Sequence, residues 1–228
     1  MVNPNKKLKI KAEGREFARY PIQTHFIKKS DSFEEVVSNY VVGKAQKRDI
    51  VVLSQKIVSI MQGRILKKEK VKISFLANFL SKFVKKTPVG FGVGNPYKMQ
   101  VALNLAGRAR IIFAAILGGM GKLFGIHGVF YKIAGNHISE IDGFYGKAFK
   151  KYKKIGILGP KNCDEVCERL KDNFGFSFVV ADINDIGGKI LGKSSNLKGK
   201  EDLLLSILRD NPAGQSNQRT PIILIREL

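Results

Sequence analysis

Asp49-Ile50-Val51-Val52-Leu53-Ser54-Gln55-Lys56-Ile57-Val58-Ser59-Ile60-Met61-Gln62-Gly63-Arg64 is the stretch in which one hydrophobic pattern gives way to another. Ile50 to Ser54 is a β-branched run of the kind that forms a buried strand. The second half carries Ile57, Val58, Ile60 and Met61, which fit either a helical turn or a second strand. Upstream, Pro21 to Phe26 reads as the start of a strand. Ser30 or Asp31 is placed to cap a helix through Glu34, Glu35, Val36, Val37 and Tyr40.

Downstream, residues 64–86 are basic and amphipathic. Phe75, Leu76, Phe79, Leu80 and Phe83 stand at helical spacing, which predicts a packed helix with a lysine-rich outer face. Gly90, Gly92 and Gly94 alternate before Asn95-Pro96 and mark a loop or bulged strand. Met99 to Ala106 reads as helix, His137 to Tyr145 as a polar loop, and Ile155 to Leu158 as a short strand. A helix follows from Asp164 to Asn173, with Asp164 and Glu165 in the first turn where the helix dipole favours them. Phe176 to Val180 is a further buried strand, Glu201 to Leu208 a short helix and Ile222 to Ile225 a last strand. Strands and helices alternate, so the class is α/β, or mixed α+β.

The chain has 228 residues, 44% hydrophobic and 26% charged, enough for one large domain or two small ones. The formal charge of +21 is unevenly spread. Residues 1–160 hold 30 Lys and Arg against 9 Asp and Glu, and residues 161–228 hold 10 of each. Such a field attracts nucleotides, nucleic acid, acidic lipid or an oligoglutamyl or phosphorylated ligand, and a generic lysine-rich surface is the plainer reading. Cys163 and Cys167 are four apart on one predicted helix, which suits reduced thiols in a cytoplasmic setting rather than a disulfide. Met1 to Lys11 is polar and lacks the apolar run of a signal peptide. Ile111 to Gly135 is the most membrane-like stretch. Its unbroken apolar core, Ile111 to Met120, falls short of the roughly 20 residues a spanning helix needs. A buried element followed by a glycine-rich loop is expected there, and a membrane-surface contact is a further reading.

Familiar motifs fail. Gly118-Gly119-Met120-Gly121-Lys122 has Ile116 and Leu123 where a phosphate loop needs Gly and Ser or Thr. Three histidines make a histidine-rich metal site improbable, and carboxylates remain. Asp142 stands in the polar loop. Asp182 and Asp185 are expected just past a buried strand, at the carboxyl end where open α/β sheets hold ligands. Aspartates of this kind suit Mg²⁺ or Mn²⁺ bridged to nucleotide phosphates, or else they hydrogen-bond their own turns.

The motif running from the strand into Gln55-Lys56, Val58-Ser59 and Gly63-Arg64 resembles the N-terminal signature of the coenzyme F-420 gamma-glutamyl ligase family, a strand followed by Q-K-x-V-S-x-x-x-G-R. Tyr20-Pro21-Ile22-Gln23-Thr24 is similar to that family's first nucleotide-contacting segment. Leu158-Gly159-Pro160 and the helix through Arg169-Leu170 resemble its L-P-x-D-P helix. Gly214-Gln215 and Thr220 to Arg226 resemble its terminal strand.

The resemblance implies a two-part α/β fold with mixed sheets that forms an intertwined homodimer. It implies a basic lead-in over 1–19 and a ligase-like domain over 20–228, with subdomains at about 20–95 plus the C-terminal strand and about 96–210. It also implies GTP, or ATP, as co-substrate, and Mg²⁺ or Mn²⁺. The reaction implied joins L-glutamate to a phosphorylated deazaflavin acid through an acyl phosphate. By motif position, Pro21, Gln23, Thr24, Gln55, Lys56, Arg64 and Gln215 fall to the nucleotide and Asp142, Asp182 and Asp185 to the metal, and no catalytic residue is implied. Lys56 also reads as an ordinary surface lysine, and Gln215 as serving its own turn. Tyr145 stands where the family has asparagine, Ile183 where it has threonine, and residues 95–135 form an insertion.

Other readings are the same scaffold acting on a different acid and amine, a scaffold that has lost activity, and a basic nucleic-acid-binding protein. The last draws on Phe75, Phe79 and Phe83 among lysines, although their spacing is that of a core.

Overall fold

The computed structural model describes residues 6–84, 92–144, 150–185, 187–214 and 218–228. The chain divides into two compact units. One is built from Met1–Arg64 with Pro160–Leu228, the other from Ile65–Gly159. The architecture is mixed α/β with two sheets.

The first unit holds a six-stranded sheet in the order β1 (Lys9–Ala12), β2 (Arg15–Ile22), β9 (Ile222–Glu227), β3 (Ile50–Ser54), β7 (Ser177–Asn184), β8 (Gly187–Lys193). β3 and β7 run parallel and the other pairs are antiparallel. Pro21 lies in β2 opposite Ile223, beyond the reach of β1, so its missing N–H costs the ladder nothing. The strand therefore precedes Pro21 instead of starting there.

Side chains alternate across this sheet. Phe17, Val52, Val179, Ala181, Ile223 and Ile225 pack against α9 (Glu201–Leu208) through Leu203, Leu204, Ile207 and Leu208. On the opposite face, Val51, Leu53, Phe178, Val180, Ile222 and Leu224 are buried. α8 (Cys163–Phe174) packs on β7 and β8, burying Cys163, Val166, Cys167 and Leu170 at the spacing of one helical stripe. Cys163 and Cys167 are both unbridged, and burial pushes the Cys167 thiol far up, with Cys163 and Asp164 adding to the effect. Arg19, fully buried, donates to the carbonyl of Ile207 and the carboxylate of Asp210, which ties β2 to the end of α9.

The open choice after Ser54 is settled as helix: α2 spans Gln55–Met61 and buries Ile57, Val58, Ser59 and Ile60. Gly63, at φ +69°, ends it in the left-handed conformation that glycine adopts without strain. α1 (Phe33–Val37) is capped by Ser32, in a reciprocal pair with Glu35, instead of by Ser30 or Asp31. A π-helical turn over Ser38–Val42 follows it.

The second unit holds a three-stranded sheet, β4 (Ile65–Lys67), β6 (Ile155–Ile157) and β5 (Asp142–Gly143), in that order. Its core gathers α3 (Phe75–Ser81), α4 (Pro96–Ala106), α5 (Arg108–Leu123), α6 (Val129–Ala134) and α7 (Asn136–Ser139) around Met99, Val101, Ile111 and Ile138. The expected loop from His137 thus contains the turn of α7 and strand β5.

The outer face of α3 departs from the lysine-rich face expected. Ala77 and Ser81 point inward with Leu76 and Leu80 beside them, while Phe75, Phe79 and Phe83 are exposed. Their rings stack at 6.3 Å and meet edge-on at 5.0 Å. α4 and α5 meet at Gly107 with a bend of 118°, and among the described residues no single helix is long and apolar enough to cross a membrane.

Candidate functional site

The β3–β7 pair sets the geometry. Ile22 lies opposite Ile222, Ile222 opposite Leu53, and Leu53 opposite Val180. These four residues form a row across β2, β9, β3 and β7, spanning about 14 Å at the usual strand spacing. The segments next to the row on one side are Gln23-Thr24, the loop ahead of β9, Ser54-Gln55-Lys56, and Ala181-Asp182. Two backbone bonds close this edge: Thr24 N–H to the Arg219 carbonyl at 3.0 Å, and Ser54 N–H to the Pro221 carbonyl at 2.9 Å.

Pro21 is half-buried and Gln23 exposed. Thr24 is buried, its hydroxyl donating to the His25 carbonyl at 2.8 Å. Gln55 is buried and Lys56 half-buried on the first turn of α2. Arg64 leaves the other end of α2, its N–H donating to the Ser59 carbonyl at 2.9 Å. The Lys29 side chain lies over Gly63, so close that a β-carbon there would stand 2.7 Å from Lys29 Cε. Gln62 donates to the Lys161 carbonyl at 2.7 Å and accepts from the Lys161 N–H at 2.9 Å, fixing the end of α2 to the lead-in of α8. Gln215 lies outside the described residues, as does Tyr145.

The sequence placed Asp182 just past a strand. It lies within β7, opposite Lys189 of β8, because β8 pairs with β7 beyond the point where β3 stops. By alternation its side chain shares a face with Val180 and Phe178. A bulge in this pairing falls between Val180 and Ala181, immediately before it. Asp185 is in the turn that follows. Its Oδ1 accepts from Lys6 Nζ at 3.0 Å and Asn211 Nδ2 at 3.2 Å. Asp142 belongs to the second unit, where its Oδ1 accepts from the Gly143 N–H at 2.7 Å and pairs with the buried Lys98 at 3.8 Å. Nearby in chain and space, the Glu140 carboxylate lies against Gly159, where any side chain would collide with it.

One constellation escaped the sequence reading. His25 Nε2 meets Asp31 Oδ2 at 2.7 Å, and His25 Nδ1 meets the Tyr40 hydroxyl at 2.8 Å. His25 directly follows the sheet edge at Thr24. Burial would raise the Asp31 carboxyl, but the Lys28 N–H and His25 outweigh it and hold the group below its usual range. The partners come from a loop and from the π-helical turn, at separations of 6 and 15 residues that no periodicity signals.

A divalent metal is implied by the family. Among the described residues no group of three or more His, Cys, Asp and Glu side chains is arranged to cage an ion. Asp182 is a single carboxylate next to the sheet edge, and Mg²⁺ that keeps its waters and binds substrate phosphates needs only one or two carboxylates.

No curated protein matches the chain. The sequence model of the F420-0:Gamma-glutamyl ligase family matches residues 21–181, from Pro21 at the sheet edge, through β3, α2 and Asp142, to Ala181. That span is more than half of the chain, and the protein belongs to the F420-0:gamma-glutamyl ligase family.

Proposed function

We propose that the protein is a nucleotide- and divalent-metal-dependent acid–amino acid ligase. Its proposed co-substrate is GTP, and it joins L-glutamate to a phosphorylated deazaflavin-type acid. The observation that supports this most is the common sheet edge shared by Gln23-Thr24, Gln55-Lys56 and Asp182, since β3 and β7 are parallel and Asp182 directly follows the last residue of β7 that pairs with β3. That is the crevice position in which open α/β sheets take ligands.

In the reaction a carboxylate oxygen of the acid attacks the γ-phosphorus and the nucleoside diphosphate leaves. The glutamate amine then attacks the acyl carbon, phosphate leaves, and the nitrogen gives up a proton. Gln55, Lys56 and Arg64 orient the nucleotide, with Pro21, Gln23, Thr24 and Gln215 completing its contacts. Asp182 is the carboxylate of this unit that would hold metal. When bound, the metal supplies positive charge against the phosphate oxygens. His25, backed by Asp31, accepts the amine proton by way of the Tyr40 hydroxyl. A homodimer is part of this proposal and rests on the family alone.

The test is calorimetric binding of GTP and ATP, with and without Mn²⁺, to the wild type and to Asp182→Ala. Metal-dependent binding that disappears in the variant is the expected result. Absence of binding to either nucleotide by a folded sample would overturn the proposal.

A further inference from the structure

α5 and the turn after it are apolar on both sides. Inward, Ile111, Ala114, Gly118 and Gly121 form a stripe, and the two glycines let Phe130 and Val129 of α6 approach to where a β-carbon would stand. Outward, Ile112, Phe113, Ile116, Met120, Leu123 and Phe124 are exposed, Leu123 to 85% and Phe124 to 77%. On a helix of 3.6 residues per turn, Ile112, Ile116, Met120 and Leu123 lie opposite the buried stripe. The chain has no charged residue between Arg110 and Lys122. Apolar residues all round a helix call for an apolar neighbour on each side, and among the described residues the fold supplies one side only.

The surroundings indicate what the other neighbour is. Residues 65–159 carry 17 Lys and Arg against three Asp and Glu. We propose that this unit docks on an anionic lipid surface, with Leu123 and Phe124 entering the headgroup–acyl boundary and exposed lysines such as Lys122 and Lys132 facing the acidic headgroups. Interfacial binding adds buried apolar area to attraction by anionic lipid, and both are present here. A second copy of the chain would bring two strongly positive units together. Nucleic acid is served by aromatic stacking platforms among cations, whereas the α5 ridge is mostly aliphatic with its charges at the ends. The 118° bend between α4 and α5 suits an element lying on a bilayer rather than crossing it.

The test is co-sedimentation of the full chain with phosphatidylcholine vesicles, with and without phosphatidylglycerol. Nucleotide is left out, so the result is independent of the ligase proposal. Expected is pelleting with the anionic vesicles only, weakened by salt, and reduced at least about tenfold in Leu123→Ser/Phe124→Ser. Both side chains are exposed, and a thermal melt matching the wild type verifies the fold of the variant. Unchanged pelleting by this variant overturns the proposal, as does loss of pelleting only when Phe75 and Phe79 are replaced. A dimer seen by light scattering in the wild type and abolished by the same double substitution also overturns it, because a second copy then covers the ridge.

Discussion

Ser54 faces Ala181 across the parallel pair of β3 and β7. The two strands come from distant parts of the sequence, yet the next residue of each, Gln55 and Asp182, leaves this register at the same edge. Gln55 turns into α2, whereas Asp182 continues along β8. A polar helix start beside a strand-borne carboxylate is thereby built from backbone pairing, which is stiffer than a loop.

Asp182 and Asp185 are expected to separate on substitution. Asp182→Asn should weaken Mn²⁺-dependent GTP binding by about tenfold or more, since it removes charge from a carboxylate proposed to meet metal. Asp185→Asn should leave that affinity within about twofold and cost about 1 kcal/mol of stability, because its carboxylate holds Lys6 and Asn211. Calorimetry and urea unfolding of both variants measure the pair of effects. The reverse pattern would give the metal role to Asp185.

His25→Gln tests the proton route. The variant should bind nucleotide as the wild type does and form amide at least about tenfold more slowly, the ordinary scale for loss of a general base. Single-turnover assays at several pH values separate this from a packing defect, because a base effect shrinks at high pH, where hydroxide takes the proton instead. A loss that stays constant with pH would assign His25 to structure.

Much of the first unit was legible because burial imposes simple periods. Ile50 to Ser54 is a strand, and Cys163, Val166, Cys167 and Leu170 mark the inner stripe of α8. Local spacing did not reveal β8, which carries glycines at 187, 188 and 192. Gly188 and Gly192 are small because Ile183 and Cys163 occupy the space a side chain would take. Phe75, Phe79 and Phe83 carried a helical period but not its direction. Ala77 and Ser81 occupy the inner stripe, so the larger residues face out. Of the proposed sheet-edge site, the Gln55-Lys56 and Asp182 motifs were legible in the sequence. The contacts of His25 with Asp31 and Tyr40 depend on loop closure, which leaves no repeat in the sequence.

Gly192 and Gly119 predict opposite responses to alanine. A β-carbon at Gly192 would lie 2.3 Å from Cys163 Cβ and 2.6 Å from the Asp164 nitrogen, both at the start of α8. Gly192→Ala should therefore cost about 1–3 kcal/mol, the range for overpacking a tight contact. Gly119, on the open side of α5, has nothing within 4 Å of that position. Gly119→Ala should stabilise by up to about 1 kcal/mol through helix propensity. Urea midpoints at constant slope report both.

Acid should weaken the fold through Asp210. Burial raises its carboxyl, but the Arg19 guanidinium and Lys6 outweigh that and hold it below the usual carboxylate range. A carboxyl whose folded value is depressed contributes stability above its unfolded value, and that contribution is lost as pH falls through the folded value. Arg19 is fully buried, so protonating Asp210 leaves its guanidinium with a weakened partner. Asp210→Asn should cost about 2 kcal/mol at neutral pH, as for a hydrogen bond to a charged group. The gap between wild type and variant should hold from neutrality down to about pH 5 and close below pH 4, where the unfolded chain takes up the proton first. Urea unfolding across that range measures it. A gap independent of pH would mean that Asp210 contributes by shape and hydrogen bonding alone, with no share from its charge.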